Sequence, residues 1–443
     1  MADALRREQQ EAILRSAQGL IEEAIDFLQS LIRIPTVNPP GASYVECANA
    51  IGKQLQKFGY AVEYIALSAD EVAELAPYGE GQPRTNVLGR LQGRQASPTL
   101  HFNGHFDVVP TGSGWSTHPF GAELKDGRIY GRGASDMKGG IAAQIYAVEA
   151  IRRAGLQLRG SVEQSGVVDE ESTGNRNAGM GILVERGYIA PDRTDYVVIT
   201  EPLNVDNICL GHRGAIWGEI RTLGRQSHGS TPERGINALE QMAGFIDEVT
   251  RTLTPQLQQR HNSQPVVPAS ASAASLSFNV IQGGTTINSL PDSCTVSFDR
   301  RLVTSERLDT ARQELHDILA RRAQRIPTFR YEYKERYAAA PTWVSDETPL
   351  VRAFTAAIEA VLHRTPGYVC SPGTDDQRFV VQNAAIEQCI VYGPGEITQA
   401  HVVDESLAVS DLLASIQVMA LATATLLGVE PTDEQTASHK NTV

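Results

Sequence analysis

The sequence has few cysteines, and their spacing pairs none of them. Five cysteines are scattered through 443 residues, and no Cys-x-x-Cys run occurs. An odd and dispersed set argues against a disulfide framework and against a thiolate zinc site. A reducing compartment fits this usage best, so we expect a cytoplasmic protein.

Positive charge and long apolar runs are also scarce. Lysine and arginine number 39 against 52 aspartates and glutamates, a net charge of −13, which argues against nucleic acid or an anionic membrane as a partner. The first fifteen residues are polar and contain no apolar core of a signal peptide. The most apolar stretch, Leu412–Val429, is interrupted by Ser415 and Gln417. We expect a buried helix there rather than a membrane span.

Strand-like and helical patterns alternate over the first 211 residues. Glu8–Ile34 is predicted to form a helix. Short β-like runs follow, and a helical stretch over about Lys138–Ala154 lies between them; the β-like runs are Asn86–Leu91, Thr99–Asn103, Ser161–Val168 and Tyr196–Thr200. This order predicts an α/β catalytic domain with a mixed sheet flanked by helices.

The pattern changes near His212. Four alternating strands and two helices follow in the order βαββαβ, which predicts an inserted α+β domain of ferredoxin-like type with one half-solvated sheet face. The α/β pattern then returns, with helices predicted over Thr348–His363 and Glu405–Leu427 and a strand over Gln388–Tyr392. We therefore predict a catalytic domain in two parts, residues 1–211 and 339–430, an inserted domain over 212–338, and a disordered tail over 431–443.

A histidine and an aspartate follow the predicted strand Thr99–Asn103. In extended chain, residues i and i+2 point to one side, so Asp107 could accept a hydrogen bond from the second ring nitrogen of His105. A metal-bound imidazole usually has such a partner. Alone, this pair is a weak signal, since a surface histidine beside a solvated aspartate is the commoner case.

Further carboxylates and one more histidine follow other predicted strands or turns. Asp136 lies between a glycine-dense turn and a predicted helix, where it could cap the helix or bridge two cations. Glu170 and Glu171 follow an apolar strand, and adjacent buried carboxylates repel unless a cation lies beside them. Glu201 closes a strand, and His401 follows a Gly-Pro-Gly turn. Together they occupy the C-terminal ends of strands, where α/β sheets place their sites.

The ordered motifs resemble those of the M20 metallopeptidase family, which includes acetylornithine deacetylase, succinyl-diaminopimelate desuccinylase, aminoacylase and glutamate carboxypeptidase relatives. The motifs are Gly104-His105-x-Asp107, Gly131-Arg-Gly-x-x-Asp136-x-Lys-Gly, Asp169-Glu170-Glu171, Glu201-Pro202 and the late His401. The resemblance implies two metal ions per chain. The implied roles are His105 and Glu201 on one ion, Glu171 and His401 on the other, Asp136 as bridge, Glu170 as general base, and Asp107 orienting His105. Oxygen and nitrogen ligands without thiolate suit Zn²⁺ and tolerate Co²⁺ or Mn²⁺.

The inserted domain resembles the family's lid or dimerisation domain. Its Ser227-His228-Gly229-Ser230 run implies that His228 reaches the oxyanion of the transition state, often from a partner subunit. Asn288 and Arg301 match the elements that grip a substrate carboxylate, and Arg301 fits the spacing better than Arg300. Gly373 and Thr374 resemble a turn that lines the substrate cleft, although Thr374 could also cap a helix.

These motifs predict a hydrolase that cleaves a C–N amide bond of a small carboxylate-bearing substrate, foremost an N-acyl amino acid. A dipeptidase or carboxypeptidase, or C–N cleavage of an unusual substrate such as an aromatic amino acid analogue, is an alternative. A catalytically inactive relative that binds a ligand is the alternative of another class, which the complete ligand set disfavours. The resemblance also implies a homodimer through the lid domain.

Overall fold

The chain folds into two compact units. A computed structural model describes residues 5–171 and 175–432. The first unit comprises the chain up to Gly211 together with residues 344–369 and the chain from Asp375 onwards, and the second comprises His212–Trp343 and Cys370–Thr374. The second unit thus ends at Trp343 rather than at the expected boundary, residue 338. It also includes Cys370–Thr374, which we expected in the catalytic domain.

The helices and strands follow one another in mixed order. The helices are α1 Arg7–Gly19, α2 Ile21–Ile32, α3 Tyr44–Lys57, α4 Ala69–Leu75, α5 Gly139–Arg153, α6 Met180–Glu185, α7 Ala238–Thr252, α8 Thr254–Leu257, α9 Leu308–Arg325, α10 Pro349–Leu362 and α11 Val409–Leu427. The strands are β1 Ala61–Ala66, β2 Thr85–Leu91, β3 Thr99–His105, β4 Glu123–Lys125, β5 Arg128–Tyr130, β6 Leu156–Leu158, β7 Ser161–Val167, β8 Tyr196–Ile199, β9 Asn207–His212, β10 Gly214–Leu223, β11 Ser275–Gly283, β12 Ser293–Leu302, β13 Arg330–Ala339, β14 Thr342–Trp343, β15 Gly367–Ser371, β16 Cys389–Val391, β17 Ser406–Ala408 and β18 Val429–Pro431.

A mixed sheet forms the core of the first unit. Its strands run in the order β1-β2-β7-β3-β8-β16-β9. The middle strands β7, β3, β8 and β16 pair in parallel, whereas β1 and β2 are antiparallel. Every residue of β3 and β7 is buried, as expected for parallel strands covered on both faces. The predicted α/β architecture is confirmed.

The apolar helix α11 belongs to this core. It packs against α5 and α10, and most of its side chains are buried. Among the described residues it is the one helix long and apolar enough to cross a membrane, but 61% of that stretch is buried inside the unit. The buried helix expected over this stretch is thus confirmed.

The second unit contains a four-stranded antiparallel sheet in the order β11-β12-β10-β13. The predicted βαββαβ order is confirmed by β10, α7, β11, β12, α9 and β13. The two long helices cover one face. Their apolar side chains, such as Phe245 and Leu315, bury the inner residues Ile220 and Phe298. On β12 buried and half-buried residues alternate strictly, so the other face is only partly covered.

Three local expectations were wrong. The helix expected over Glu8–Ile34 ends at Gly19 and begins again at Ile21. The last long helix begins at Val409 rather than Glu405, because Ser406–Ala408 pairs with β5 instead. Pro431 belongs to β18, so the chain is ordered at that point. The rest of the predicted disordered tail, residues 433–443, lies outside the described residues.

Candidate metal centre

Three of the five candidate ligands lie where strands of the central sheet end, whereas Asp136 follows β5 and His401 lies between β16 and β17. His105 is the last residue of β3, Glu170 and Glu171 follow β7, and Glu201 follows β8. Parallel pairing places His105 opposite Val167, so these segments leave the sheet at the same edge. The carboxyl edge of parallel strands is the usual site position in an open α/β sheet.

Two groups of three side chains form there and share Asp136. The first group is His105, Asp136 and Glu201, and the second is Asp136, Glu171 and His401; in each, the candidate ligand atoms lie within 4.8 Å of one another. Asp136 Oδ1 lies 3.1 Å from His105 Nε2, and its Oδ2 lies 3.3 Å from His401 Nε2. One carboxylate thus faces both groups, one oxygen to each.

The raised pKa values of the clustered carboxyl groups indicate that positive charge would stabilise their ionised forms. Burial raises the pKa of Glu171 to about 7, and the neighbouring Asp136 adds to the rise. Burial likewise raises the pKa of Glu201 to about 8. Hydrogen bonds to Asp136 and Glu171 raise the pKa of His401 to about 11. Closely packed buried carboxylates take up protons unless cations neutralise them.

This donor set fits two divalent cations. Each group offers one imidazole nitrogen and two carboxylates, counting Asp136 in both, and contains no thiolate. Nitrogen and oxygen donors of this kind suit Zn²⁺ and also Co²⁺ or Mn²⁺. His105 is 1% exposed, whereas His401 is 53% exposed. The histidine of the first group is therefore enclosed by protein, whereas the histidine of the second group is about half exposed to solvent.

Glu170 lies beside the first group without belonging to either group. Its Oε2 is 3.9 Å from His105 Nε2. Burial raises the pKa of Glu170 well above its ordinary value, and the nearby charges of Glu201, Glu171 and Asp376 contribute to the rise. A carboxylate with raised proton affinity at the edge of a cation site is suited to accept a proton.

Asp107 contacts His105 through both its main chain and its carboxylate. His105 Nδ1 lies 3.0 Å from the main-chain oxygen of Asp107 but 3.5 Å from its carboxylate. The Asp107 carboxylate also accepts hydrogen bonds from the amides of Glu170 and Glu171, at 3.2 Å each, and from Asn38 at 2.9 Å. It therefore fixes the Glu170–Glu171 backbone as well as the histidine.

A buried ion pair anchors the same segment from the other side. Asp169 has a left-handed backbone, with φ of 59°. Its carboxylate accepts hydrogen bonds from Arg84 Nε at 2.8 Å, the Tyr44 hydroxyl at 3.0 Å and Asn38 Nδ2 at 3.2 Å. Arg84 is 1% exposed. Nothing in the motif Asp169-Glu170-Glu171 indicates these partners, which come from distant parts of the chain.

Two buried carboxylates of the centre were not assigned a role from sequence. Asp376 accepts hydrogen bonds from Asn103 and Asn177, at 3.1 and 3.4 Å. Glu405 is fully buried and accepts hydrogen bonds from the loop that carries Asp136. Its position four residues after His401 is a sequence signal that could have marked Glu405.

The second unit holds the other predicted site residues. His228 and Asn288 are neighbours, since the Gly229 amide donates to the Asn288 carbonyl at 2.7 Å. The Ser230 amide donates to His228 Nδ1 at 3.1 Å. An Nδ1 that accepts places the proton of a neutral imidazole on Nε2, which leaves Nε2 able to donate.

Arg301 and Thr374 belong to one cluster of this unit. The Arg301 guanidinium lies over the Trp217 ring and pairs with Asp299 at 2.8 Å. Trp217 contacts Tyr337, whose hydroxyl lies 2.8 Å from the Thr374 hydroxyl. The Thr374 side chain is thus hydrogen-bonded to a tyrosine in addition to any capping role. A side chain at Gly373 would meet no atom within 4 Å, so the space beside it is open.

Comparison with known proteins agrees with this geometry. Residues 101–425 match the description Peptidase family M20/M25/M40. The succinyl-diaminopimelate desuccinylase of Gluconacetobacter diazotrophicus is 31% identical over 411 residues, covering 91% of this chain and 97% of that protein.

Two solved structures share the fold. The dipeptidase Dug1p of Saccharomyces cerevisiae has a TM-score of 0.75 at 16% identity, covering 95% of this chain and 99% of that one. The Bacillus subtilis protein YXEP, a dinuclear metal-binding peptidase of the M20 family, has a TM-score of 0.65 at 17% identity, covering 92% and 99%. From the matched length and the relative, the chain belongs to the peptidase family M20/M25/M40 and is a hydrolase of this metallopeptidase family.

Proposed function

We propose that this chain is a di-zinc amidohydrolase that removes the acyl group from a small N-acyl amino acid. The observation that supports it most is the position of Asp136, one oxygen of which faces His105 and the other His401. His105 and Glu201 would hold one ion, Glu171 and His401 would hold the other, and Asp136 would contribute to both sites.

The chain's own residues would carry the proton and orient the substrate. Two bound divalent cations lower the pKa of a water and polarise the scissile carbonyl. Glu170 accepts the proton of the attacking water and passes it to the leaving amine. His228 donates a hydrogen bond from Nε2 to the developing oxyanion. Asp107 holds the Glu170 backbone and the His105 ring in place.

The arginines of the second unit support a substrate that bears a carboxylate. Arg301 is partly exposed, whereas Arg300 is fully buried and paired with Glu306 and Glu314. Arg301 is therefore the member of the pair that a substrate carboxylate can reach. We place Asn288, Gly373 and Thr374 in the same substrate-binding role. The desuccinylase relative favours a succinyl or similar acyl group.

A substrate panel tests the reaction. The zinc-loaded protein is incubated with N-succinyl and N-acetyl amino acids, with dipeptides, and with the α-methyl ester of each, and the released amine is measured. We expect turnover of the N-acyl amino acids and a strong loss with their esters. Turnover of dipeptides alone would favour a dipeptidase or carboxypeptidase. Full metal occupancy without turnover on a wide panel, including aromatic amino acid analogues, would favour a binding protein.

Metal identity and cellular setting complete the proposal. Apoprotein reloaded with Zn²⁺, Co²⁺ or Mn²⁺ should be active with each and take up two ions per chain. The second unit serves as lid and as the contact surface of a homodimer, with neither nucleic acid nor membrane as a partner. The five cysteines are buried and free of disulfides, which supports a cytoplasmic location.

A further inference from the structure

Glu405 joins the two segments that carry the shared ligand Asp136 and the exposed ligand His401. Its carboxylate is 0% exposed. Oε1 accepts hydrogen bonds from the amides of Ser135 and Asp136, at 2.9 and 3.0 Å. Oε2 accepts from the Gly133 amide at 3.0 Å and from Arg132 Nη1 at 2.7 Å. One buried carboxylate thus receives four donors from a single loop.

A short strand pair sets the position of Glu405. Antiparallel pairing places Ser406 of β17 opposite Tyr130 of β5. The Gly131 amide continues this pairing by donating to the Glu405 carbonyl at 2.9 Å. Arg132 adds a hydrogen bond to the Val402 carbonyl at 3.1 Å. The loop after β5 and the segment before β17 are therefore bound together along their length.

The two candidate ion sites depend on this connection unequally. His105 and Glu201 come from the ends of buried strands. Among the described residues, neither side chain forms a hydrogen bond with residues 401–405. His401 instead lies in the segment between β16 and β17. Its side chain is 53% exposed, and its backbone has a left-handed φ of 62°. Asp136 belongs to both groups, but its amide is fixed by Glu405.

We infer that Glu405 is a positioning residue that sets His401 against Asp136 and so forms the second ion site. It contacts the loop rather than the ions. Residues that orient metal ligands typically change affinity by about 10–100-fold when they are replaced. This inference rests on the proposed di-metal function. It adds that the ion affinity of the second site depends on Glu405, whereas that of the first site does not.

The isosteric variant Glu405→Gln tests the inference. Its amide group would face either Arg132 and Gly133 or Ser135 and Asp136, so donors meet donors on one side. The matched control is Asp404→Asn, which removes the same charge from the next residue, whose carboxylate accepts from the Ser116 amide instead. Apoprotein of each form is titrated with Zn²⁺ against a chromophoric chelator, which yields two stepwise affinities.

We expect the wild type and Asp404→Asn to bind two ions with the same affinities. Glu405→Gln should keep the first affinity and weaken the second by at least about tenfold. Unchanged second affinity in Glu405→Gln would overturn the inference, and so would an equal loss of both affinities, which would indicate a general structural role. Thermal unfolding is measured in parallel. If Glu405→Gln does not fold, Arg132→Met, which removes one donor to Glu405 and the contact to Val402, should weaken the second ion in the same direction; no change in that variant would equally overturn the inference.

The same titration separates this inference from the proposed function. A wild-type chain that binds a single ion would overturn the di-metal proposal and the inference with it. A wild-type chain that binds two ions, with Glu405→Gln doing so equally well, would overturn the inference alone.

Discussion

Glu170 differs from its neighbour Glu171 in what surrounds it, and this difference assigns their roles. Glu171 Oε2 lies 3.0 Å from His401 Nε2, within one ligand group, whereas Glu170 is outside both. We predict that Glu170→Gln binds both metal ions but loses at least about 100-fold in kcat, because the amide cannot accept the proton. Metal content and steady-state kinetics measure the two effects.

The exposed Glu185→Gln is a suitable control for Glu170→Gln. Glu185 lies on α6, where it pairs with Arg176 on the surface. Its kinetics should equal those of the wild type. A Glu170→Gln protein that remained active would contradict the assignment of the general base, and one that lost its metal would assign Glu170 as a ligand instead.

Arg300 and Arg301 are adjacent but have opposite surroundings, which provides a matched pair. The Arg301 side chain is 26% exposed and that of Arg300 is 0% exposed. We predict that Arg301→Leu raises KM at least about tenfold with little change in kcat, as expected when binding to ground state and transition state is lost equally. Arg300→Leu should instead lower the free energy of unfolding by roughly 3 kcal/mol, because it breaks a buried ion pair. The reverse assignment of effects would identify Arg300 as the substrate ligand.

Individual residues show which parts of the site can be predicted from sequence. Motifs after predicted strands identified His105, Glu171 and Glu201, which lie together because parallel strands end at one edge of the sheet. Asp136 and His401 instead come together through the antiparallel pairing of β5 and β17. The contacts that hold them could not be predicted. Arg84 reaches Asp169 across 85 positions, and Glu405 reaches Asp136 across 269. Such partners are set by the folded path of the chain and leave no local pattern.

At the scale of elements, Asn237 caps the N-terminus of α7, and its replacement tests whether its role is structural or in substrate binding. The Asn237 side chain accepts hydrogen bonds from the amides of Leu239 and Glu240, at 3.1 and 3.3 Å. We predict that Asn237→Ala lowers the free energy of unfolding by about 1 kcal/mol, while Asn237→Ser, which keeps a capping oxygen, changes it little. Chemical denaturation gives the values. A raised KM with unchanged stability would place Asn237 in the substrate site instead.

The turn between β12 and α9 should give the second unit a dependence on acid. Burial raises the pKa of Glu306, but hydrogen bonds and charges from Arg300 and Arg260 outweigh it, so the pKa lies below that of a free glutamate. A lowered folded-state pKa contributes stability above the unfolded-state value of about 4.3, and this contribution is lost as the pH falls through the folded-state pKa.

We therefore predict that the stability difference between wild type and Glu306→Gln is constant near neutral pH and shrinks below about pH 4.3. Denaturant unfolding across this range measures it. Glu332→Gln on β13, whose side chain is 60% exposed, should show no such change. A difference that grew towards acid would contradict the sign.

Elements were predicted best where burial repeats regularly. The four strands and two long helices of the second unit were expected in the right order, because one face of each is apolar. The start of α11 was not, since the pattern of Glu405–Ala408 continues the helix while pairing with β5 fixes it as extended chain. Local pattern could not reveal a partner strand about 280 residues earlier, as the pairing of Ser406 with Tyr130 requires.

At the scale of the whole molecule, the division into two units separates the predicted chemistry. The ion ligands and Glu170 lie in the first unit, and His228, Asn288, Arg301 and Thr374 lie in the second. A reaction that uses both sets needs the second unit of one chain to reach the first unit of the same chain or of a partner. Sequence cannot distinguish these cases, because both use the same residues.

Mixing two inactive variants decides whether His228 acts within its own chain. If each chain of a homodimer supplies His228 to the other, a dimer of Glu170→Gln with His228→Ala contains one intact site, formed by Glu170 of one chain and His228 of the other. Half of the dimers in an equal random mixture are of this kind, so activity per chain should return to about a quarter of wild type. Co-expression with two purification tags isolates the mixed dimer, whose activity should be about half of wild type. Because neither variant alters the metal ligands, each preparation should carry its full metal content. A mixed dimer as inactive as its parents would show that His228 serves its own chain, and a protein that sediments as a monomer would exclude the exchange altogether.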